Sequence, residues 1–526
     1  MFKLNLKFKN NKRGITLIAL VITIVILIIL ATVSINVVLG EGGLIQRAQE
    51  GKDLTEQAQI DEKEEITGAE EYINSVIGGK DPSEPFEPRP TPEPPTGGTS
   101  MEDMTNGVIE IKWLNGTSYN VSDTPNAPLI KEDLPEGTTM ELVRYTGEGT
   151  TERERWVAGT EYSYLPGTGS SDNRSSKWAN ARVTIDGIDS YFVWIPRYAY
   201  RIIYFDSKDS KIAYQEGKIT EAEAVANNQI IGYSDSRGIV DAEGKKVANV
   251  ESTTKTMVSE DYFMVHPAFT DEVENGGWSS QISGIWVGKY EASLTNKEDE
   301  SNIVPDSSNA DILLENNTDK TIATRAGCSS WRYIAIGKMY DNAKYYSTDL
   351  ESHMLKNSEW GAVAYLTEST YGRNGNETGL SGKGYITGGG EENAYTNEEN
   401  QLQSTTGNVY GVYDMRGGTT EYVAIYYNEG NSLSNGSSFA FKGGTSNQYA
   451  TAYTGINESS AYKYGDATYE TSGWHSDRAL FVSSSNPFFR RGGYYGGVAS
   501  DTGVFCYSII SGVAHIYGSF RVALVV

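Results

Sequence analysis

The side chains best suited to catalysis in this sequence are two cysteines and four histidines. They are Cys328, Cys506, His266, His353, His475 and His515. The histidines stand far apart, and the sequence contains neither the HExxH nor the CxxC spacing that is typical of zinc sites. The two thiols are able to pair with each other, but two cysteines cannot form the framework of a disulfide-rich secreted domain. We therefore predict no catalytic zinc site and no cofactor.

The amino-acid composition limits the class of protein to which these side chains can belong. The chain has 526 residues, which is enough for two or three domains. Its 56 glycines and 35 tyrosines favour short strands joined by many turns. The formal net charge of −25 argues against a nucleic-acid partner on electrostatic grounds.

The N-terminus has the pattern of a membrane anchor. Residues 1–14 are basic, and the uncharged run Ile15–Leu39 is long enough to span a bilayer as a helix. A secretory signal peptide would be shorter and would end in a small-residue cleavage site. The sequence thus predicts a single-pass protein of the bacterial cell membrane, with the membrane as a partner through Ile15–Leu39 and the C-terminal domain extracellular.

The junction KRGITLI at residues 12–18 resembles the leader of type IV pilins and pseudopilins. This resemblance implies cleavage between Gly14 and Ile15 by a prepilin peptidase, and other pilins as further partners. Ala19 occupies the position at which the family usually carries Glu, which is thought to register subunits in a filament. Filament membership and a plain uncleaved anchor therefore both stay open.

Hydrophobic periodicity and proline content divide the rest of the chain. The expected segments are a leader at 1–14, a transmembrane and stalk helix at 15–77, a Pro-rich linker at 78–100, a small β module or elaboration at 101–176, and a ligand-binding domain at 177–526. Within the last two segments, alternating apolar residues predict strands at 108–113, 140–145, 190–198 and 284–291. Helices are predicted at 219–228 and 356–366, the second with Asn357 or Ser358 as its N-cap.

Three ordered motifs resemble the formylglycine-generating-enzyme (sulfatase-modifying factor) branch of the C-type lectin fold. They are GVYDMRGGTTEY at 411–422, LKNSEWGAVA at 355–364, and the ending from Arg491 to Ala523; the strand at 287–293 is also similar. The fold class expected is therefore α+β: a long N-terminal transmembrane helix, a Pro-rich linker and a C-type lectin-like domain rich in short strands and loops.

The resemblance leaves an enzyme and a binding protein as alternatives. The oxidase of this family needs two close cysteines for copper, which suits Cu(I), but Cys328 and Cys506 are distant in sequence. A related iron-dependent group uses a histidine cluster that this chain lacks, and Gly418 replaces the asparagine that helps the family bind calcium, while Glu421 is kept. We therefore favour a protein that is not an enzyme over a metal-dependent modifying enzyme or a structural minor pseudopilin; calcium binding stays open.

Non-enzymatic members of this branch include the variable proteins of diversity-generating retroelements, which carry a mutable C-terminal binding surface. By this resemblance the fixed framework would be Arg491, Gly492, Gly493, Phe520 and Arg521. The ligand-binding positions would be Tyr494, Tyr495, Gly496, Asp501, Cys506, Tyr507, Ser508, Ile509, Ile510, His515, Ile516 and Tyr517. Tyrosine offers rigid amphipathic contact area, as it does in antibody paratopes. The expected function is adhesin-like binding of an unknown protein or glycan.

Overall fold

A computed structural model describes residues 106–235, 238–240, 263–382, 384–390, 393–427, 446–497 and 501–526. All of these residues belong to one unit, which runs from residue 94 to 526. The predictions for the leader, the transmembrane and stalk helix, the linker and the cleavage pair Gly14 and Ile15 lie outside the described residues.

Short strands are the main regular element of the described chain. They are β1 Gly107–Leu114, β2 Val121–Ser122, β3 Thr138–Tyr145, β4 Trp156–Ala158, β5 Asn180–Ile185, β6 Ile188–Pro196, β7 Tyr198–Phe205, β8 Ile230–Asp235, β9 Gly238–Val240, β10 Met264–Val265, β11 Gly284–Gly288, β12 Ser293–Asn296, β13 Lys320–Ala323, β14 His353–Met354, β15 Thr420–Tyr422, β16 Ile425–Tyr427, β17 Thr451–Tyr453, β18 Phe488–Arg491, β19 Tyr507–Ile510, β20 Gly518–Phe520 and β21 Val522–Leu524. Most are only a few residues long, since glycine and polar turns interrupt the apolar runs.

The α-helices between these strands are few and short. They are α1 Glu152–Arg155, α2 Lys208–Gln215, α3 Glu221–Ala226, α4 Ile336–Tyr345, α5 Asn357–Glu368, α6 Glu398–Gln401 and α7 Glu458–Ala461. Isolated 3₁₀ turns, such as Trp474–Ser476, complete the regular structure.

Two larger sheets carry much of the core. One has the strand order β2-β1-β7-β8-β9, with β10 also paired to β7; the other has the order β14-β21-β11-β6-β5-β3-β4. β1 pairs with β7, and β3 pairs with β5, so strands from before residue 176 share sheets with strands that follow it. The core residues Trp331 and Trp360 have no exposed surface.

The strands and helices expected from local patterns are confirmed. β1, β3, β6 and β11 cover the four predicted strands to within a few residues, and α3 and α5 cover the two predicted helices. The N-cap of α5 is Lys356, one residue earlier than expected. The Glu359 side chain accepts the main-chain N–H of Lys356, which satisfies one of the donors exposed at the helix start.

The predicted α+β class with a long transmembrane helix is wrong. The structure is mostly strands and loops with few helices. Within the described residues, no helix is both long and apolar enough to cross a membrane. The 12-residue α5 is about 18 Å long at 1.5 Å per residue, against the roughly 30 Å of a bilayer core. The expectations of a transmembrane protein and of a single-pass membrane localisation are corrected accordingly.

A small sheet positions the C-terminal segment. Its order is β19-β18-β15-β20, with β15 antiparallel to β18 and parallel to β20. The register places Glu421 of β15 opposite Arg491 on one side and Ser519 on the other. The chain therefore leaves this sheet after Arg491, returns to it as the edge strand β19 and returns again at residue 518, and the two loops between these strands hold most of the predicted binding residues.

Candidate ligand-binding site

The framework under the site contains a buried ion pair between Arg521 and Glu421. The Arg521 Nε donates to Glu421 Oε2 at 2.9 Å, and its Nη2 donates to Glu421 Oε1 at 2.5 Å. The same guanidinium donates to the carbonyls of Gly288 and Tyr413. Arg521 thus joins β15 and β11 from the linker between β20 and β21.

Arg491 makes a different set of contacts from Arg521. Its guanidinium lies over the rings of Trp360 and Tyr507, at 5.5 and 5.3 Å from their centroids, and its Nη2 donates to the carbonyl of Ala467. It forms no ion pair with Asp414 or any other carboxylate of the described residues. Burial lowers the pKa of Arg491, and the nearby Asp466 partly opposes that shift.

Glycine is required at the first turn after β18. Gly492 and Gly493 have φ of 78° and 69°, in the left-handed region where a side chain is strained. A Cβ on Gly493 would lie 1.9 Å from the carbonyl oxygen of Asp501. This close approach brings the two arms of the C-terminal loop together.

Three buried carboxyl groups lie behind the C-terminal loops. Glu291 accepts a hydrogen bond from the hydroxyl of Ser330 and one from the main-chain N–H of Thr419. Burial raises the pKa of Glu291 well above its ordinary value, and the carboxylates of Glu421 and Asp414 raise it further. Arg521 pairs directly with Glu421 and so partly offsets the rise that burial causes in the pKa of Glu421.

Four tyrosine side chains meet at the outer side of this framework and define the tyrosine cluster. They are Tyr385, Tyr494, Tyr495 and Tyr517. The rings of Tyr494 and Tyr517 stack with centroids 4.6 Å apart, and those of Tyr385 and Tyr495 meet edge to face at 4.8 Å. Tyr517 is 8% exposed, whereas the other three are half-buried and present part of their rings to solvent.

Main-chain hydrogen bonds hold the cluster from several segments. The N–H of Tyr495 donates to the carbonyl of Gly418 at 3.1 Å, and the N–H of Thr420 donates to the carbonyl of Tyr517 at 2.8 Å. The N–H of Ser330 donates to the carbonyl of Tyr385 at 2.8 Å. The rings are therefore carried by loops that are tied to the small sheet and to the segment that follows β13.

Two residues that the sequence analysis missed complete the site. Tyr385 comes from the Gly-rich stretch after α5, and Arg332 stacks its guanidinium on the Tyr385 ring at 3.8 Å from the centroid. Arg332 Nη1 also donates to the carbonyl of Ile516 at 3.2 Å, and the N–H of Tyr333 donates to the carbonyl of His515. No local pattern marks Tyr385 or Arg332, because their role depends on contacts with residues more than 100 positions away.

The predicted binding residues separate by burial into two groups. Tyr494, Tyr495, Asp501, Ile509, Ile510, His515 and Ile516 are half-buried, and Gly496 is exposed. Cys506, Tyr507, Ser508 and Tyr517 are buried. The first group is in reach of a ligand at the surface, whereas the second packs inside.

Interior hydrogen bonds explain why the second group is buried. The Tyr507 hydroxyl donates to Glu458 and lies 3.2 Å from the hydroxyl of Ser472. Ser508 accepts a hydrogen bond from Arg490 Nε at 2.7 Å. The Ser508 contact links β19 to β18, whereas Tyr507 ties the edge of the small sheet to Glu458 and Ser472 outside it.

Ile509 and Ile510 are half-buried at the edge strand β19 and pack against the core. Asp501 pairs with Arg478 at 3.3 Å. His515 contacts Tyr517, with ring centroids 5.2 Å apart. Among these residues, His515 is the one whose ring adjoins the tyrosine cluster.

The cysteines and histidines have separate surroundings. Cys328 and Cys506 are both free and buried. Burial, followed by the nearby Asp477, raises the pKa of Cys506 to about 12, so its thiol is protonated at neutral pH. His353 contacts Glu359 and His475 contacts Glu368, both at 3.0 Å. Within the described residues, no three His, Cys, Asp or Glu side chains are grouped so that they could hold a metal.

Comparison with known proteins found no family model that matches the sequence and no curated protein that matches it.

Proposed function

We propose that this protein binds a protein or glycan ligand, without chemical turnover, at the tyrosine cluster and its neighbour His515. The observation that carries this proposal is the group of partly exposed rings around Tyr494 and Tyr495, held by main-chain hydrogen bonds to a buried frame. Tyrosine and arginine are enriched among the residues that dominate binding energy, and rings that are ordered before binding lose little entropy.

The proposal includes diversification of the exposed positions between Arg491 and Arg521. The resemblance to variable proteins of diversity-generating retroelements supports this part. A near-copy of the last codons that differs at adenines and lies beside a reverse-transcriptase gene is the expected finding in the neighbouring DNA. If that DNA holds no such copy, the surface is a fixed binding surface.

Binding by the full chain to arrayed glycans and purified surface proteins tests the proposal. The double substitution Tyr494→Ala/Tyr495→Ala is expected to weaken every interaction that the wild type makes by about thirtyfold or more, corresponding to about 2 kcal/mol. Tyr345→Ala is the matched control, because Tyr345 is 49% exposed on α4 and is not part of the cluster. Equal loss in both variants, or no loss in either, would contradict the proposal.

A further inference from the structure

One arginine, Arg332, lies against the tyrosine cluster. It is 8% exposed, and its Nε has no hydrogen-bond partner among the described residues. Its recorded contacts are the Tyr385 ring, the more distant Tyr333 ring and the carbonyl of Ile516. It forms no ion pair with a carboxylate of the described residues.

Most other arginines of low exposure have carboxylate partners. Arg521 pairs with Glu421, and Arg201 with both Glu110 and Glu221. A buried charge without a partner is costly, because the protein replaces only part of its hydration. Arg332 therefore has unused capacity to bind an anion.

Two more buried arginines, Arg197 and Arg491, also form no ion pair with a carboxylate in the described part of the chain, but both are fully buried. Arg197 donates to the carbonyls of Phe269 and Ile282, and its guanidinium lies over the ring of Tyr119 at 5.6 Å from the centroid. Arg332 differs because 8% of its own surface is exposed, whereas Arg197 and Arg491 have no exposed surface. An anion could approach Arg332 across the tyrosine cluster, whereas Arg197 and Arg491 are closed to solvent.

The carboxyl group whose field acts on Arg332 belongs to Glu291. Its two oxygens accept hydrogen bonds from the hydroxyl of Ser330 and the main-chain N–H of Thr419, and burial raises the pKa of Glu291 well above its ordinary value. The hydrogen bonds of this carboxyl group are therefore made with other partners than Arg332.

We propose, building on the function proposed above, that Arg332 and the tyrosine cluster form a subsite for an anionic sugar. Guanidinium groups form paired, charge-assisted bonds with carboxylate or sulfate oxygens. Tyrosine rings offer an apolar face for the C–H groups of a sugar and hydroxyls for its polar edge.

The negative charge of the whole protein does not prevent an anionic sugar from binding beside Arg332. The net charge of −25 is spread over 526 residues. At physiological ionic strength, exposed charges are screened beyond about 8 Å, so the local charge of Arg332 determines what binds beside it.

A glycan array with matched pairs tests the proposal: uronic- and sialic-acid glycans beside their methyl esters, and sulfated glycans beside their desulfated forms. The full chain is expected to bind at least one acidic form about tenfold more tightly than its neutral partner. The pair that shows this preference distinguishes a carboxylate from a sulfate ligand. Raising the salt concentration is expected to reduce the preference.

Arg332→Met is expected to bind the acidic and neutral forms equally, at the affinity of the neutral form. Arg332→Lys is expected to keep part of the preference. Arg174→Met is the matched control, since the Arg174 side chain is 50% exposed and pairs with Asp172 instead. Circular dichroism and the melting temperature check that each variant is folded, and the wild-type preference for acidic forms is a test that needs no variant.

If the wild type binds acidic and neutral forms equally, and Tyr494→Ala/Tyr495→Ala loses this binding, the anionic subsite is overturned and the proposed function stands. Binding of a polyglutamate peptide and of no glycan would overturn the glycan ligand. An acidic preference that survives Arg332→Met would also overturn the proposal. Absence of any binding that depends on the cluster would overturn both the subsite and the proposed function.

Discussion

Arg521 and Arg332 are both buried arginines, but they lie in two neighbouring regions of the protein with different roles. Arg521 lies in the buried frame and is fully satisfied by Glu421 and two main-chain carbonyls. Arg332 lies beside the tyrosine cluster with one of its nitrogens unpartnered. The difference indicates that the polar groups of the frame are satisfied within the protein, whereas the surface above it has a polar group that a ligand can still bind.

The largest expected effect contrasts Arg521→Met with Arg332→Met. Removing Arg521 leaves Glu421 buried and charged, so the free energy of unfolding should fall by about 3–5 kcal/mol. Removing Arg332 deletes an uncompensated charge, so the same quantity should change by less than about 1 kcal/mol or rise. Urea denaturation measures both. Equal destabilisation by the two substitutions would mean that Arg332 belongs to the frame.

A second contrast concerns glycines of positive φ in and outside the frame. Gly493→Ala should cost about 3 kcal/mol or more, because the new Cβ meets the Asp501 carbonyl at 1.9 Å in addition to the left-handed strain. Gly169→Ala is the control: its φ is 67° and a Cβ there would have no neighbour within 4 Å, so the cost should be about 1–2 kcal/mol. Equal melting temperatures for the two variants would show that the loop after β18 adapts freely.

Local patterns in the sequence were sufficient to predict several elements of this frame. The alternation in β1, β3, β6 and β11 and the apolar run of α5 are short-range signals, and each predicted element is present. The fold class was wrong because it depended on a long helix, whereas the described helices are short and several carry charges on their exposed faces, such as Lys338 in α4.

The composition of the candidate site was less predictable. Tyr495 and Tyr507 are equivalent in a sequence rich in tyrosine, yet one is half-buried and the other fully buried. The pairing of β19 with β18 decides this, since it turns Tyr507 toward Glu458. Arg332 and Tyr385 join the site through contacts between distant parts of the chain, which periodicity cannot detect.

A smaller effect should appear in the pH dependence of stability. Burial, followed by the Glu377 carboxylate, raises the pKa of Asp477 to about 8 in the folded protein. An unfolded aspartate ionises near pH 4, so between about pH 4 and pH 8 the unfolded state loses this proton while the folded state keeps it. This group therefore makes the protein less stable as pH rises through that range.

Asp477→Asn removes this titration and retains an acceptor for the main-chain N–H of Phe505. The stability of the variant relative to wild type should rise between pH 5 and pH 8, as measured by urea denaturation at both values. A constant difference between the two proteins would show that Asp477 ionises normally in the folded state.

The division between frame and surface is tested most directly by measuring affinity and stability in the same two variants, Tyr495→Ala and Tyr507→Phe, with a glycan or protein that the wild type binds. Tyr495→Ala should weaken binding by about tenfold or more and change the free energy of unfolding by less than about 1 kcal/mol. Tyr507→Phe should leave affinity unchanged and cost about 1–3 kcal/mol of stability, because Glu458 loses its buried donor. The opposite result, with Tyr507→Phe weakening binding and Tyr495→Ala leaving it intact, would contradict the account.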